Sequence, residues 1–241
     1  KFQEKPSISK GKIHGYLKHA NEVLLKAEKY MKLKASIVVA VTDYENVRFG
    51  YAGNVRAKLY RNNKMFDKTI DTSLSSEMVS KEMISEDALS RHEQRSNLYT
   101  FLGQKGFSPV ISGKIKLVDT DILILYTKGV WENVSEGEID NIFAESGKDP
   151  KDALLKVEAV LLDKNLGYID NYTIAGIYID KVFIESDTKK KKRRKLILIV
   201  SIASVVVILG AIIALYFYKK YTRELKEDMN THYEKMLKFI E

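Results

Sequence analysis

The 241-residue chain contains no cysteine, which excludes disulfide bonds and thiolate metal sites and agrees with a reducing compartment. It has only four histidines, His14, His19, His92 and His232, and their spacing matches no metal-binding pattern. No phosphate-cradling glycine loop, nucleophile elbow or zinc-protease helix occurs. Basic patches interleaved with aromatics are missing from the region ahead of residue 189, which sets aside a nucleic-acid partner. A charged-then-apolar secretory segment is also missing and the first residue is Lys1, so the N-terminus is expected to be incomplete.

Charge is absent in one long stretch. From Leu196 to Tyr218 there are 23 residues without a charged side chain, and as a helix rising about 1.5 Å per residue they exceed the roughly 30 Å hydrocarbon core of a bilayer. A buried core helix rarely stays apolar on every face for so long. The run is preceded by a collar of seven cations, Lys189, Lys190, Lys191, Lys192, Arg193, Arg194 and Lys195, suited to anionic lipid headgroups at about 1 kcal/mol each. The formal charge is +8, and removing the collar leaves +1, so the basic character of the chain belongs to the collar. The collar outweighs Lys219, Lys220, Arg223 and Lys226 on the far side, which predicts a single-pass protein of the cell membrane with a cytoplasmic N-terminal domain and the tail on the opposite side. The expected segments are a domain over 1–188, the collar at 189–195, a transmembrane helix at 196–218 and a helical tail at 219–241.

Within the domain, apolar residues at three- and four-residue steps predict an amphipathic helix from Ser9 to Met31. Strands are expected at Ser36 to Thr42, Val47 to Gly53 and Arg56 to Arg61, an antiparallel meander whose first turn is Asp43-Tyr44-Glu45-Asn46. Two short surface helices are expected between Ser73 and Leu102. An alternating strand from Val110 to Leu117 is expected to pair with a buried strand from Ile122 to Tyr126. Ser135 and Glu138 form a capping box, and Asp149 and Pro150 open a further helix to Leu162. A last strand covers Tyr172 to Phe183. The pattern is that of an α+β layered domain.

Several stretches resemble a known family. Tyr51-Ala52-Gly53-Asn54-Val55-Arg56-Ala57, Asp71-Thr72-Ser73-Leu74, Arg91-His92-Glu93-Gln94-Arg95-Ser96-Asn97-Leu98, Asp121 to Val130 and Asp170-Asn171-Tyr172-Thr173 occur in the order, and with the plausible spacing, of motifs in the metal-dependent protein phosphatases of the PPM (type 2C) family. The resemblance covers roughly Ala35 to Phe183. It implies a sandwich of two antiparallel sheets flanked by helices, with the N-terminal part of the fold absent from the sequence given. It also implies a chemistry in which two divalent metals, held by carboxylates, activate water against a phosphoserine or phosphothreonine.

The motif positions depart from that chemistry. Lys128, followed by Gly129, stands where the family has a metal-binding aspartate, and an ammonium group repels a divalent cation. Asp170 is retained, followed by Asn171, while Asn54 replaces another family aspartate. Nothing in 1–34 resembles the upstream carboxylate motifs. The resemblance therefore points to a pseudophosphatase with no confident catalytic residue and no cofactor, in which Lys128 pairs with Asp170 where a metal would bridge. Two alternatives stand beside it. One is an active Mg- or Mn-dependent serine/threonine phosphatase whose remaining ligands lie upstream of Lys1, and the other is a structural subunit of a membrane complex. Expected partners are membrane lipids and a cytoplasmic protein. The tail repeat Leu225, Met229, His232, Met236 and Phe239 suggests homo-oligomerisation through a short coiled coil.

Overall fold

The structure, a computed structural model, describes residues 2–27, 32–146, 150–164, 170–182 and 187–237. Two compact units divide at Phe183/Ile184. The first is a four-layer arrangement, helix on sheet on sheet on helix. Sheet one joins β1 (Ile37–Thr42), β2 (Asn46–Ala52), β5 (Val110–Ile111) and β6 (Ile115–Lys116); sheet two runs β4 (Lys64–Lys68), β3 (Arg56–Arg61), β7 (Ile122–Tyr126) and β8 (Ile174–Tyr178). All pairings are antiparallel.

Side-chain alternation assigns each strand two faces and so creates three apolar layers. Val47 and Phe49 of β2, Ala57 and Leu59 of β3, and Leu123 of β7 fill the space between the sheets together with Leu117. Each larger member contributes roughly 1.5–3 kcal/mol by leaving water. Helix α1 (Lys10–Ala27) lays Ile13 and Leu17 on the outer face of sheet one against Val41 and Ile111. Helices α4 (Glu136–Ala144) and α5 (Pro150–Lys164) cover sheet two, where Ile139, Phe143, Val157 and Leu161 meet Tyr60, Ile124 and Tyr126. Arg61 ties the sheets at one end, donating to the Asp121 carboxylate at 2.8 and 2.9 Å and to the carbonyl of Lys116 at 2.8 Å.

The first helix ends at Ala27, and Glu28 to Met31 lie outside the described residues, as do Asp149 and Phe183. Several expectations need correction. The stretch from Val110 to Leu117 is not one strand paired with β7. It breaks into β5 and β6, both paired with β2, because Ser112 turns into that strand: its hydroxyl accepts from Phe49 N at 2.9 Å and its own N–H donates to Phe49 O at 2.9 Å. β7 instead lies between β3 and β8. The last strand is confined to Ile174–Tyr178. Asn62 and Asn63, just past the expected strand from Arg56 to Arg61, both adopt positive φ (50° and 59°) and form the hairpin into the unanticipated β4. Between Ser73 and Leu102 there is one helix, α2 (Leu74–Ser80), followed by two 3-10 turns at Leu89–Arg91 and Glu93–Ser96.

The capping box of α4 is present. Glu138 N donates to Ser135 Oγ at 3.3 Å, and Ser135 N donates to Glu138 Oε2 at 2.9 Å. The second unit contains α6 (Asp187–Leu237), a helix of 51 residues. Its segment Lys195–Lys226 is long and apolar enough to cross a membrane. Ser201 and Ser204 donate their hydroxyls to the carbonyls of Leu198 and Ser201, both at 2.8 Å, which removes the cost of placing them in an apolar run. The collar belongs to this helix; of its side chains, Lys195 is described and is exposed.

Candidate functional site

Lys128 opens α3 (Lys128–Trp131), directly after β7. Asp170 precedes β8, and the two neighbouring strands carry both residues to the same end of sheet two. Thr127 secures the junction: its N–H donates to Thr173 O at 3.0 Å and its hydroxyl accepts from Thr173 N at 2.9 Å. Gly129 permits this approach, since a Cβ there would overlap the carbonyl of Asn171. Asn171 thus contributes backbone proximity to the site.

Lys128 Nζ lies 3.6 Å from Asp170 Oδ2 and 3.2 Å from Glu132 Oε2. The other Glu132 oxygen accepts from Arg95 Nε. Two carboxylates and two cations therefore form a neutral, partly exposed chain from the 3-10 turn through α3 to Asp170. Glu132 was not anticipated, although its i+4 spacing from a helical lysine is a legible signal. Arg95 lay inside a motif stretch with no role assigned to it, and only the fold brings it here.

Asn54 sits apart from this cluster. Its Oδ1 accepts from Ser36 Oγ at 2.9 Å and its carbonyl accepts from Trp131 Nε1 at 2.9 Å, so it fastens the β2–β3 turn to α3. Gly53, at φ +95° and packed on Ser36, makes that turn possible.

A second, buried ionic network runs beneath α4. Arg56 stacks over the Trp131 ring at 3.9 Å and grips Asp71 through two hydrogen bonds of 2.9 and 2.6 Å. Its remaining terminal nitrogen reaches Glu136 Oε1 at 2.5 Å. Lys58, almost wholly buried in β3, pairs with Glu136 and with Asp140 Oδ1 at 2.5 Å. Tyr60 donates to Asp140 at 2.7 Å, and Tyr126 donates to Glu136 at 3.1 Å. Burial by itself would push the Glu136 carboxyl up, but the adjacent Arg56 and Lys58 charges outweigh it and hold the group below its ordinary value. Burial tends to lower Arg56, and its bonds to Asp71 reverse this and raise it. Burial, reinforced by the neighbouring carboxylates, raises the Tyr60 and Tyr126 phenols. A cavity of about 230 Å³ adjoins this network, lined by Arg56, Lys58 and Lys68 and by Asp71, Glu86 and Glu136. Its three cations each have a carboxylate partner.

Among the described residues no group of three or more His, Cys, Asp or Glu side chains could hold a metal ion. At the motif position the donor set does not fit a divalent cation. Both Glu132 oxygens are engaged by cations, and Asp170 is shared with Lys128. A divalent ion 4 Å from an ammonium group meets a repulsion of about 8 kcal/mol at an effective dielectric near 20.

No protein-family model and no curated protein matches the sequence. Solved structures do match the fold. A serine/threonine phosphatase, Stp1, from Staphylococcus aureus is 19% identical with a TM-score of 0.64, covering 77% of this chain and 73% of its own. A bacterial serine phosphatase is 19% identical with a TM-score of 0.63, covering 76% of each chain. The catalytic domain of the serine/threonine protein phosphatase PstP, solved with two manganese ions, is 13% identical with a TM-score of 0.62 over 74% of this chain and 75% of its own. The domain therefore has the fold of the PPM-type serine/threonine phosphatases, two antiparallel sheets flanked by helices. Identity at this level defines the fold, and activity has to be argued from the site.

Proposed function

We propose that this protein is a membrane-anchored pseudophosphatase: a PPM-fold domain that performs no phosphoryl chemistry and serves as a binding module for a protein partner at the cytoplasmic face of the cell membrane. The observation that carries the reading is the position of Lys128 Nζ between Glu132 and Asp170. The ammonium supplies positive charge between carboxylates in the way a cation would, and it supplies no Lewis acidity and no activated water. Arg95 completes the charge balance. The apolar run of α6 supports anchoring, and the collar ahead of it supports the cytoplasmic orientation and contact with anionic lipid.

The competing reading, an active Mg- or Mn-dependent phosphatase completed by ligands upstream of Lys1, draws on the retained Asp170 and on the manganese bound by PstP. Calorimetric titration of the detergent-solubilised chain with Mn²⁺, together with a phosphothreonine-peptide hydrolysis assay, separates the two. The expected outcome is no heat of binding and no release of phosphate. Manganese-dependent turnover, abolished by Asp170→Asn, would overturn the pseudophosphatase reading. Flotation with anionic vesicles tests the anchor separately, and protease accessibility of the domain in inverted vesicles tests its orientation.

A further inference from the structure

Charge is distributed very unevenly among the layers of the domain. Residues 1–34 and 99–117 together carry twelve lysines against three glutamates, whereas residues 118–188, which include α3, α4 and α5, carry fifteen carboxylates against six cations. The fold joins the two parts of the positive set. α1 lies on the outer face of sheet one, and Asn21 stitches it to the second segment: its Nδ2 donates to Gln104 O at 3.1 Å and its Oδ1 accepts from Gly103 N at 2.7 Å. Ala35 N, at the end of the first segment, donates to Leu102 O at 3.2 Å. Two segments that contain no basic run in the sequence thus form one basic layer, with both sheets between it and the acidic helices α4 and α5.

Two properties of this layer define its partner. The first is that its cations are bare. Lys12, Lys18, Lys26, Lys34, Lys105 and Lys114 are exposed, and none of them takes part in an ion pair among the described residues. Glu22, the one carboxylate on α1, faces His19 at 3.7 Å. The acidic layer differs, because Arg56, Lys58, Arg61 and Arg95 from the middle of the chain reach Glu136, Asp140, Asp121 and Glu132, so a second copy offers no equally bare counterpart. The second property is that every cation of residues 1–34 and 99–117 is a lysine. Arginine forks grip a phosphate or carboxylate in fixed geometry, whereas separated ammonium groups act as point charges toward a surface whose own charges are spread out. Val23 and Val110 are exposed among these lysines, a mixture of cations and apolar side chains suited to the headgroup boundary of a bilayer.

We propose that the layer formed by α1 and residues 99–117 is a second membrane contact, docking the domain on anionic lipid headgroups through a face of its own. Charge complementarity selects the partner, and tethering makes a shallow face sufficient: a domain joined to a membrane helix meets headgroups at high effective concentration, so weak contacts add to the anchor. The attraction acts over about 8 Å at physiological ionic strength and about 3 Å in molar salt, so it is reversible by salt where the apolar anchor is not. Docking through this layer leaves the α4 and α5 side free for a protein partner. The proposal rests on the anchor reading for its tether.

The chain has no cysteine, and the exposed Gly15 on α1 and Gly137 on α4 both have open space where a Cβ would stand. Full-length Gly15→Cys and Gly137→Cys are labelled with a fluorophore and reconstituted in vesicles that carry a headgroup-attached quencher, made either of phosphatidylcholine alone or of phosphatidylcholine with phosphatidylserine. Quenching at position 15 is expected to be several-fold stronger than at 137 in the phosphatidylserine vesicles, and to fall to the level of 137 in molar salt or without phosphatidylserine. Equal quenching at the two positions in both vesicles would overturn the proposal, as would quenching at 15 that ignores phosphatidylserine. Displacement of the face from phosphatidylserine vesicles by a short single-stranded oligonucleotide would assign it to nucleic acid and overturn the lipid partner. Combining Lys12→Glu, Lys18→Glu and Lys26→Glu is expected to remove the excess quenching at 15 while flotation and the fluorescence of Trp131 stay as in the parent; unchanged quenching counts against the proposal. Flotation separates the two readings. Chain that floats with phosphatidylcholine alone upholds the anchor whatever the labels show, and chain that floats only with phosphatidylserine overturns the anchor while the contrast between positions 15 and 137 still decides the face. Chain that floats with neither overturns both.

Discussion

Lys58 and Lys128 are both lysines held between two carboxylates, one in the middle of β3 and the other at the start of α3. The Lys58 side chain is 2% exposed and its partners Glu136 and Asp140 lie one turn apart on α4. The Lys128 side chain is 30% exposed, and its partners come from α3 and from the segment before β8. Burial makes the first arrangement compulsory, because an unpaired ammonium in the interior costs several kcal/mol. Exposure makes the second nearly neutral for stability. A substitution at Lys128 is therefore expected to cost far less stability than one at Lys58.

The sharpest way to break this comparison is Glu136→Ala, which removes the carboxylate shared by Arg56, Lys58 and Tyr126. A loss of about 1–3 kcal/mol is expected because Tyr126 and one donor each of Arg56 and Lys58 lose their acceptor, while Asp71 and Asp140 still balance both charges. Denaturant titration read through Trp131, the single tryptophan and the ring under Arg56, measures it. A loss below about 1 kcal/mol would place the network with the surface pairs.

Acid offers a graded version of the same test. Glu136 has a folded pKa below its unfolded value, so its contribution is full above the unfolded carboxylate pKa of about 4.3 and is lost as pH falls through the lower folded value. Stability of the parent chain should therefore decline below about pH 4, and the decline should be shallower in Glu136→Gln. Equal slopes for the two proteins would show that the network does not set the acid limit.

Ser135→Ala should cost about 1 kcal/mol by opening the α4 cap. Glu138 on the same cap is held down to about 2 by Lys164 and by Ser135, but it is partly exposed and its share is correspondingly screened. Thermal denaturation read by circular dichroism suffices for this variant. The smallest expected effect on stability is that of Lys128→Asp, under about 1 kcal/mol. Its effect on binding should be the opposite in scale. With the ammonium gone and a third carboxylate beside Glu132 and Asp170, calorimetry should detect Mn²⁺ binding that is not expected of the parent chain. Stability loss comparable to that of Glu136→Ala, or no gain in Mn²⁺ affinity, would contradict the contrast between the two lysines.

Much of the domain was legible in local pattern. The α4 capping box, the β3 strand from Arg56 to Arg61 and the Asp43–Asn46 turn depend on residues a few positions apart, and each has the expected form. β5 and β6 were misassigned because their alternation describes a half-buried strand without naming its neighbour. Ser112, 63 positions from Phe49, supplies the bonds that choose β2. The buried network was equally hidden. A lysine between Ala57 and Leu59 in a strand buried on both faces signals a need for carboxylates, but Glu136 and Asp140 lie about 80 residues away.

The sequence by itself determined the elements with local causes: caps, turns, apolar periodicity, the length and polarity of α6, and the identity of the residue standing at the motif position 128. Tertiary structure alone decided which strands became neighbours and that Arg95 joins Glu132 beside Lys128 and Asp170. The physical reason is range. Periodicity and capping act within one or two turns of chain, whereas an ion pair is specified only after two distant segments have been brought together by burial of the faces on which they ride.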